Sequence, residues 1–224
     1  MSTNHDHSSL LADSWHDVQW RNVMRDGVIH VSLDPNLPPQ EHLFALETLQ
    51  EIDELIGTPI HLRHSNPDIR IQRQSAAFYA EEWGFGPEVG GVAYYFDDGI
   101  GTHYATWSQE FFDGQGYTGP QGSPDPFWQT FDGPLHQAWA HVNSKPAAVE
   151  YITAAAERVI AHEILHTFGL SHPDNDPNQA DWSHLDSLMS YDWGPGLHGV
   201  NSEISELDGI ALQEVWGVDP SLLT

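Results

Sequence analysis

One stretch of this chain constrains its fold and chemistry more than any other: His162-Glu163-Ile164-Leu165-His166-Thr167-Phe168-Gly169-Leu170-Ser171-His172. It has the pattern H-E-x-x-H-x-x-G-x-x-H. His162 and His166 stand four residues apart, so on a helix they share one face, about 6 Å apart along the axis. Two imidazoles at that spacing can hold one zinc ion. Glu163 then points toward the open side of the metal, where a carboxylate can take a proton from water. Gly169 can adopt a left-handed backbone and end the helix sharply, which lets His172 return to the same metal. Three His ligands leave a fourth position for water, as a catalytic zinc requires.

Downstream stands Ser187-Leu188-Met189-Ser190-Tyr191. With both motifs in view, the chain resembles the metzincin clan of zinc endopeptidases, whose zinc helix is followed by a tight turn with a Met beneath the metal. The form Ser-x-Met-Ser-Tyr is most similar to the serralysin group and less so to the matrixins, which lack that Tyr. The resemblance runs over residues 28 to 217, strongly at 158–173 and 187–191. It implies an α+β zincin-like fold: a twisted mixed β-sheet, a zinc-binding active-site helix, and a C-terminal helix below the Met-turn. It also implies that Met189 is a packing residue under the metal. Tyr191 becomes a zinc ligand in the resting state that swings out to stabilise the transition-state oxyanion. A half-buried Tyr with its hydroxyl in water is the plain alternative.

The composition narrows the classes. Acidic residues number 33 against 7 basic, a net charge of −26, and Lys145 is the only lysine. Such a surface repels nucleic acid and anionic membranes, so neither is an expected partner. No run of 18 apolar residues exists to span a membrane. There is no Cys, which excludes disulfides, thiolate zinc sites and a cysteine latency switch. Met1 to Leu10 is polar and lacks the pattern of a usual secretory signal. The expected location is extracellular, reached by another route. The glycine-rich calcium repeats that follow the protease domain in serralysins are absent, so export by a C-terminal signal of that type is not expected.

Along the chain, residues 1–20 read as a polar N-terminal tail and 21–224 as the metallopeptidase domain. Within that tail Asp6 or Asp13 could supply a latency contact. Val28 to Leu33 alternates as a strand, and Glu41 to Ile56 carries the helical period with Gly57 as its terminator. Ile60–Arg63 and Ile69–Arg73 read as short strands. Residues 90–96 and 101–107 read as a hairpin around Asp97-Asp98-Gly99. By resemblance the first of these is the edge strand over the cleft, which makes Gly91, Val92, Ala93 and Tyr94 cleft residues that can pair with an extended peptide. Residues 113–146 read as a long Gly/Pro-rich loop bordering the cleft, with a short helix near 127–142. Ala147 to Phe168 is the zinc helix. The loop 173–186 holds Asp174, Asp176, Asp181 and Asp186, oxygens that make Ca2+ a second candidate ion. Ser205 to Trp216 is the last helix, with Asp208 in a structural role. Trp193, with Pro195 and Leu197, is expected to wall the pocket for the residue after the scissile bond.

The function these readings imply is a monomeric, zinc-dependent endopeptidase that hydrolyses protein or peptide substrates through a metal-activated water, with Glu163 as base and Tyr191 at the oxyanion. The rival is a non-catalytic, metal-containing binding module on the same fold. An intact Glu163 argues against it, because a retired protease has no need of the base.

Overall fold

The computed structural model describes residues 6–11, 26–86, 89–96, 102–108, 126–143, 154–176, 178–191 and 202–219. Among them run β1 (Ile29–Leu33), α1 (Pro39–Leu55), β2 (Ile60–Leu62), β3 (Ile69–Gln74), α2 (Ala76–Trp83), β4 (Gly91–Phe96), β5 (Thr102–Ser108), β6 (Gly133–Pro134), α3 (Leu135–Asn143), α4 (Ala154–Thr167) and α5 (Glu206–Trp216). The fold is α+β, built on one six-stranded mixed sheet in the order β4-β5-β3-β1-β2-β6. β5, β3, β1 and β2 are mutually parallel. β4 pairs antiparallel with β5 at one end, and β6 pairs antiparallel with β2 at the other. Among the described residues no helix is long and apolar enough to cross a membrane.

Burial alternates along the strands, as a period of two demands when one face is covered. Ile29, Val31, Leu33, Ile60, Leu62, Ile69 and Ile71 all point into the core. Two helices cover that face. α1 presents Ala45, Leu46, Leu49 and Ile52, each fully buried, and packs against α4. α4 in turn lies against β4 and β5 and brings Ile160, Ile164 and Leu165 into the same core. The edge strand and the histidine helix are therefore in contact.

α1 begins at Pro39, two residues ahead of the periodic pattern, because Pro at the first helical turn forgoes no intrahelical bond. Its end also differs from the expected one. The capping residue is Ile56 in an extended conformation, so Gly57 does not stop the helix by a left-handed turn. Gly57 is small for another reason: a Cβ there would lie 2.6 Å from the Val218 carbonyl oxygen. The Gly57 N–H donates to Gly217 at 2.9 Å, and Ile56 bridges Val218.

Three segments depart from the sequence reading. Residues 6–11 lie in the expected tail yet are packed: His7–Leu10 forms a 3-10 turn capped by Asp6, and Leu10 and Leu11 are buried. Burial of two adjacent leucines, together with the Ser171–Leu10 and His7–Glu214 contacts, offsets the cost of ordering the segment. No element is expected from the sequence over α2. Its limits are local signals, Ser75 accepting from the Phe78 N–H and Gly84 in the left-handed conformation at φ +72°. Finally, the described part of the 113–146 loop does not border the β4 edge. Trp128 stacks on His42 at 4.7 Å, Leu135 and Ala138 are buried, and α3 packs on α1 and β2 at the opposite end of the sheet.

The Gly57 contact gives a direct test. Gly57→Ala should destabilise the fold by about 1–3 kcal/mol, since the new methyl must displace backbone rather than a side chain. Urea unfolding of the variant against the parent measures it.

Candidate metal centre

α4 ends where the motif requires. Gly169 has φ +100°. The Leu170 N–H donates to Leu165 O at 3.2 Å and the Gly169 N–H to His166 O at 3.1 Å, the paired bonds of a Schellman ending. The chain then doubles back, and His172 precedes a short 3-10 turn, Pro173–Asn175. His162, His166 and His172 are thereby gathered, each offering a ring nitrogen within 4.8 Å of the others. Their ring centroids lie 4.6, 4.8 and 5.2 Å apart. Among the described residues this is the one cluster of three or more His or acidic side chains close enough to share a metal ion.

Two of the rings are held by backbone carbonyls. Nδ1 of His162 bonds Leu188 O at 2.8 Å, and Nδ1 of His166 bonds Leu170 O at 2.7 Å. A carbonyl only accepts, so Nδ1 carries the proton and the Nε2 lone pair is left for a ligand. Nε2 of His162 and of His172 are buried with no hydrogen-bond partner. Buried polar atoms without partners are uncommon and call for an explanation. A metal ion is the explanation that three converging imidazoles fit. Burial holds all three His below the ordinary histidine range, well below for His162 and down to about 3 for His166, which His172 lowers further. The rings are thus neutral near pH 7, the form that coordinates.

Glu163 lies one residue along the helix and is 4% exposed. Burial pushes its carboxyl up to about 8, against the lowering effect of the Ala93 N–H that donates to it. Its Oε2 has no partner. The side chain passes over Gly91, where a Cβ would fall 2.3 Å from Glu163 Cγ. Gly91 is therefore a contact point for the acid, and Gly91 and Ala93 on β4 both meet Glu163. Val92 lies between them, opposite Thr106, and Tyr94 pairs by its backbone with Tyr104. Trp193 lies outside the described residues.

Tyr191 stands beside the cluster, its ring 4.8 Å from that of His172 and 5.4 Å from that of His162. Burial and the nearby Glu163 push its hydroxyl up to about 12, so it is a donor at neutral pH. Met189 is fully buried in the core cluster. Three of the four loop aspartates are engaged locally: Asp174 accepts from Gln179, Asp176 from the Asn178 N–H, and Asp186 from Ser183.

The turn under the histidines has two charged anchors, one of which the sequence did not single out. Arg158 is buried on α4, one turn before His162, and donates to the carbonyls of Ser187, Leu188 and Ser190 at 3.3, 3.2 and 2.7 Å. Asp208, at the third position of α5, accepts from the Ser187 hydroxyl at 2.5 Å and the Leu188 N–H at 2.9 Å, and completes a capping box with Ser205. Burial raises the Asp208 carboxyl, opposed by those same hydrogen bonds. The sequence signal for Arg158 is its i−4 spacing from His162, which puts both side chains on one face of the helix.

No protein-family model and no curated protein matches the chain. Among solved structures, it is similar to a chain of one described as the GM1-bound form of the ECX AB5 holotoxin, at 11% identity and a TM-score of 0.48. The match covers 87% of this chain and 82% of that one. A likeness of that size carries no argument about function.

Arg158→Met should keep the helix but free three carbonyls from a charged donor, at a cost of about 3 kcal/mol. Thermal and urea unfolding measure the loss, and near-UV circular dichroism should change with it.

Proposed function

We propose that the chain is a metzincin-type zinc endopeptidase, most like the serralysin group in its catalytic residues. The observation that carries the reading is a set of buried atoms without hydrogen-bond partners: Nε2 of His162 and His172, which are gathered with His166, and Oε2 of Glu163, next to His162 on the same helix. Three neutral imidazoles would hold zinc, which when bound supplies a Lewis acid and an acidified water.

The chain's own residues do the rest. Glu163 takes a proton from the attacking water and returns it to the leaving amine. An acid held near neutrality by burial suits both directions of transfer, and a cation beside it draws the carboxyl downward toward the base form. The Ala93 N–H fixes the Glu163 carboxylate against β4, so base and edge strand hold a constant relation. β4 ends the sheet, and an extended peptide added beside it would run past Glu163. Tyr191, protonated and next to His162 and His172, donates to the oxyanion of the tetrahedral state. Glu163 in this position is what a non-catalytic binding module would not need.

Two variants test the reading together. His166→Ala should lose most of its zinc by elemental analysis. Glu163→Ala should keep the zinc and the fold and lose casein hydrolysis by at least ~100-fold. A chelator should abolish wild-type turnover. Full zinc occupancy in the first variant, or near-normal hydrolysis in the second, overturns the assignment.

Tyr191→Phe separates an oxyanion donor from a packing ring. It should leave zinc and KM nearly unchanged and reduce kcat by roughly 10- to 1,000-fold, the scale of one oxyanion donor or less. Steady-state kinetics on a peptide substrate provide both constants.

A further inference from the structure

The segment before the sheet lies against the turn that carries the third histidine. Leu10 is fully buried and Leu11 nearly so. The Ser171 N–H donates to Leu10 O at 2.7 Å, and Leu11 bridges Leu170 in antiparallel fashion. The other end of the segment reaches α5, where His7 Nε2 lies 2.8 Å from Glu214 Oε2. The 3-10 turn of residues 7–10 thus touches both α5 and the Pro173–Asn175 turn.

What it touches matters for the histidines. Leu170, bridged by Leu11, offers the carbonyl that holds His166 Nδ1. Ser171, bonded to Leu10, immediately precedes His172. Among the described residues no side-chain hydrogen bond anchors the His172 ring, so its placement depends on ring contacts with His162, His166 and Tyr191 and on the backbone on either side. On one side is Pro173 and its turn, and on the other is the pair of residues bound by Leu10 and Leu11. A two-residue strand contact is weak alone, but the burial of two Leu side chains fixes it.

We propose that residues 6–11 are a positioning strap for the histidine centre: Leu10 and Leu11 hold Leu170 and Ser171 so that His166 and His172 face the metal, and metal binding in return holds the strap down. The inference rests on the zinc reading. Coupling between two such sites is reciprocal, since any factor the strap adds to zinc affinity zinc must add to strap docking. Carbonyl and backbone supports behind metal-binding His are worth about 10- to 100-fold in metal affinity.

The test uses the full chain with Leu10→Ser and Leu11→Ser together, and Leu10→Met as the conservative control. Zinc affinity is read by competition with a chromophoric chelator, and folding by far-UV circular dichroism. The double variant should be folded and bind zinc about 10- to 100-fold more weakly, while Leu10→Met binds as the parent does. Parental affinity in the folded double variant overturns the strap and leaves the zinc reading intact. If the double variant fails to fold, amide exchange of the unaltered protein decides. Zinc should slow exchange at Leu11 and Ser171, and should not do so in His166→Ala. Rates at those amides that are indifferent to zinc overturn the proposal. Absence of zinc binding by the unaltered chain overturns it together with the zinc reading.

Discussion

The peptide group of Leu188 joins the parts of the molecule that matter most. Its carbonyl accepts from His162 Nδ1 and from Arg158, and its N–H donates to Asp208. One residue of a turn is thus tied to α4 twice and to α5 once. Arg158 and His162 can both reach it because a spacing of four puts them on the same helix face. Asp208 reaches it because a third-position acid in a capping box already points back past the helix start. Burying a guanidinium is costly, and pairing only offsets that cost. What three carbonyl bonds supply is a unique turn geometry, and with it a fixed tautomer and orientation for His162.

The same logic shows why part of this site is legible in the sequence and part is not. His162, His166, Gly169 and His172 lie within eleven residues, and local geometry alone, helix pitch followed by a left-handed glycine, brings them together. α1 and the strands β1, β2 and β3 are legible for a similar reason: one buried face imposes its period on the sequence. Gly91 reads in sequence as a strand residue at a cleft, but its need to be glycine comes from Glu163 on another element. Arg158 reads as an ordinary helical cation until the turn it holds is seen. Leu10 and Leu11 are two apolar residues in a polar stretch, too few to show a period. α2 spans only eight residues, about two turns, where capping residues are the sole signal. Each omission is a tertiary contact or a short element.

Charge adds a second layer. The chain carries −26 overall, yet the histidine cluster consists of imidazoles that burial keeps neutral near pH 7, beside one acid that burial pushes toward the protonated form. A strongly negative surface raises the local concentration of divalent cations and of cationic peptide segments. The three imidazoles themselves add no charge to the cluster, although the buried Arg158 guanidinium lies one turn from His162.

The supports of the three histidines are unequal, and the inequality locates where the site is sensitive. His162 is fixed through Leu188, which Arg158 and Asp208 hold from both sides. His166 is fixed through Leu170, at the end of its own helix. His172 has ring contacts but no hydrogen bond to its ring among the described residues, and its backbone is bounded by the N-terminal segment and by a turn in which Asp174 and Asn175 adopt positive φ. Asp and Asn are the side chains that tolerate the left-handed region best, and the Asn175 N–H closes the turn by donating to His172 O at 2.9 Å. A disturbance far from the centre should therefore reach it through residues 170–175 more readily than through α4, whose Ile160, Ile164 and Leu165 are locked in the core.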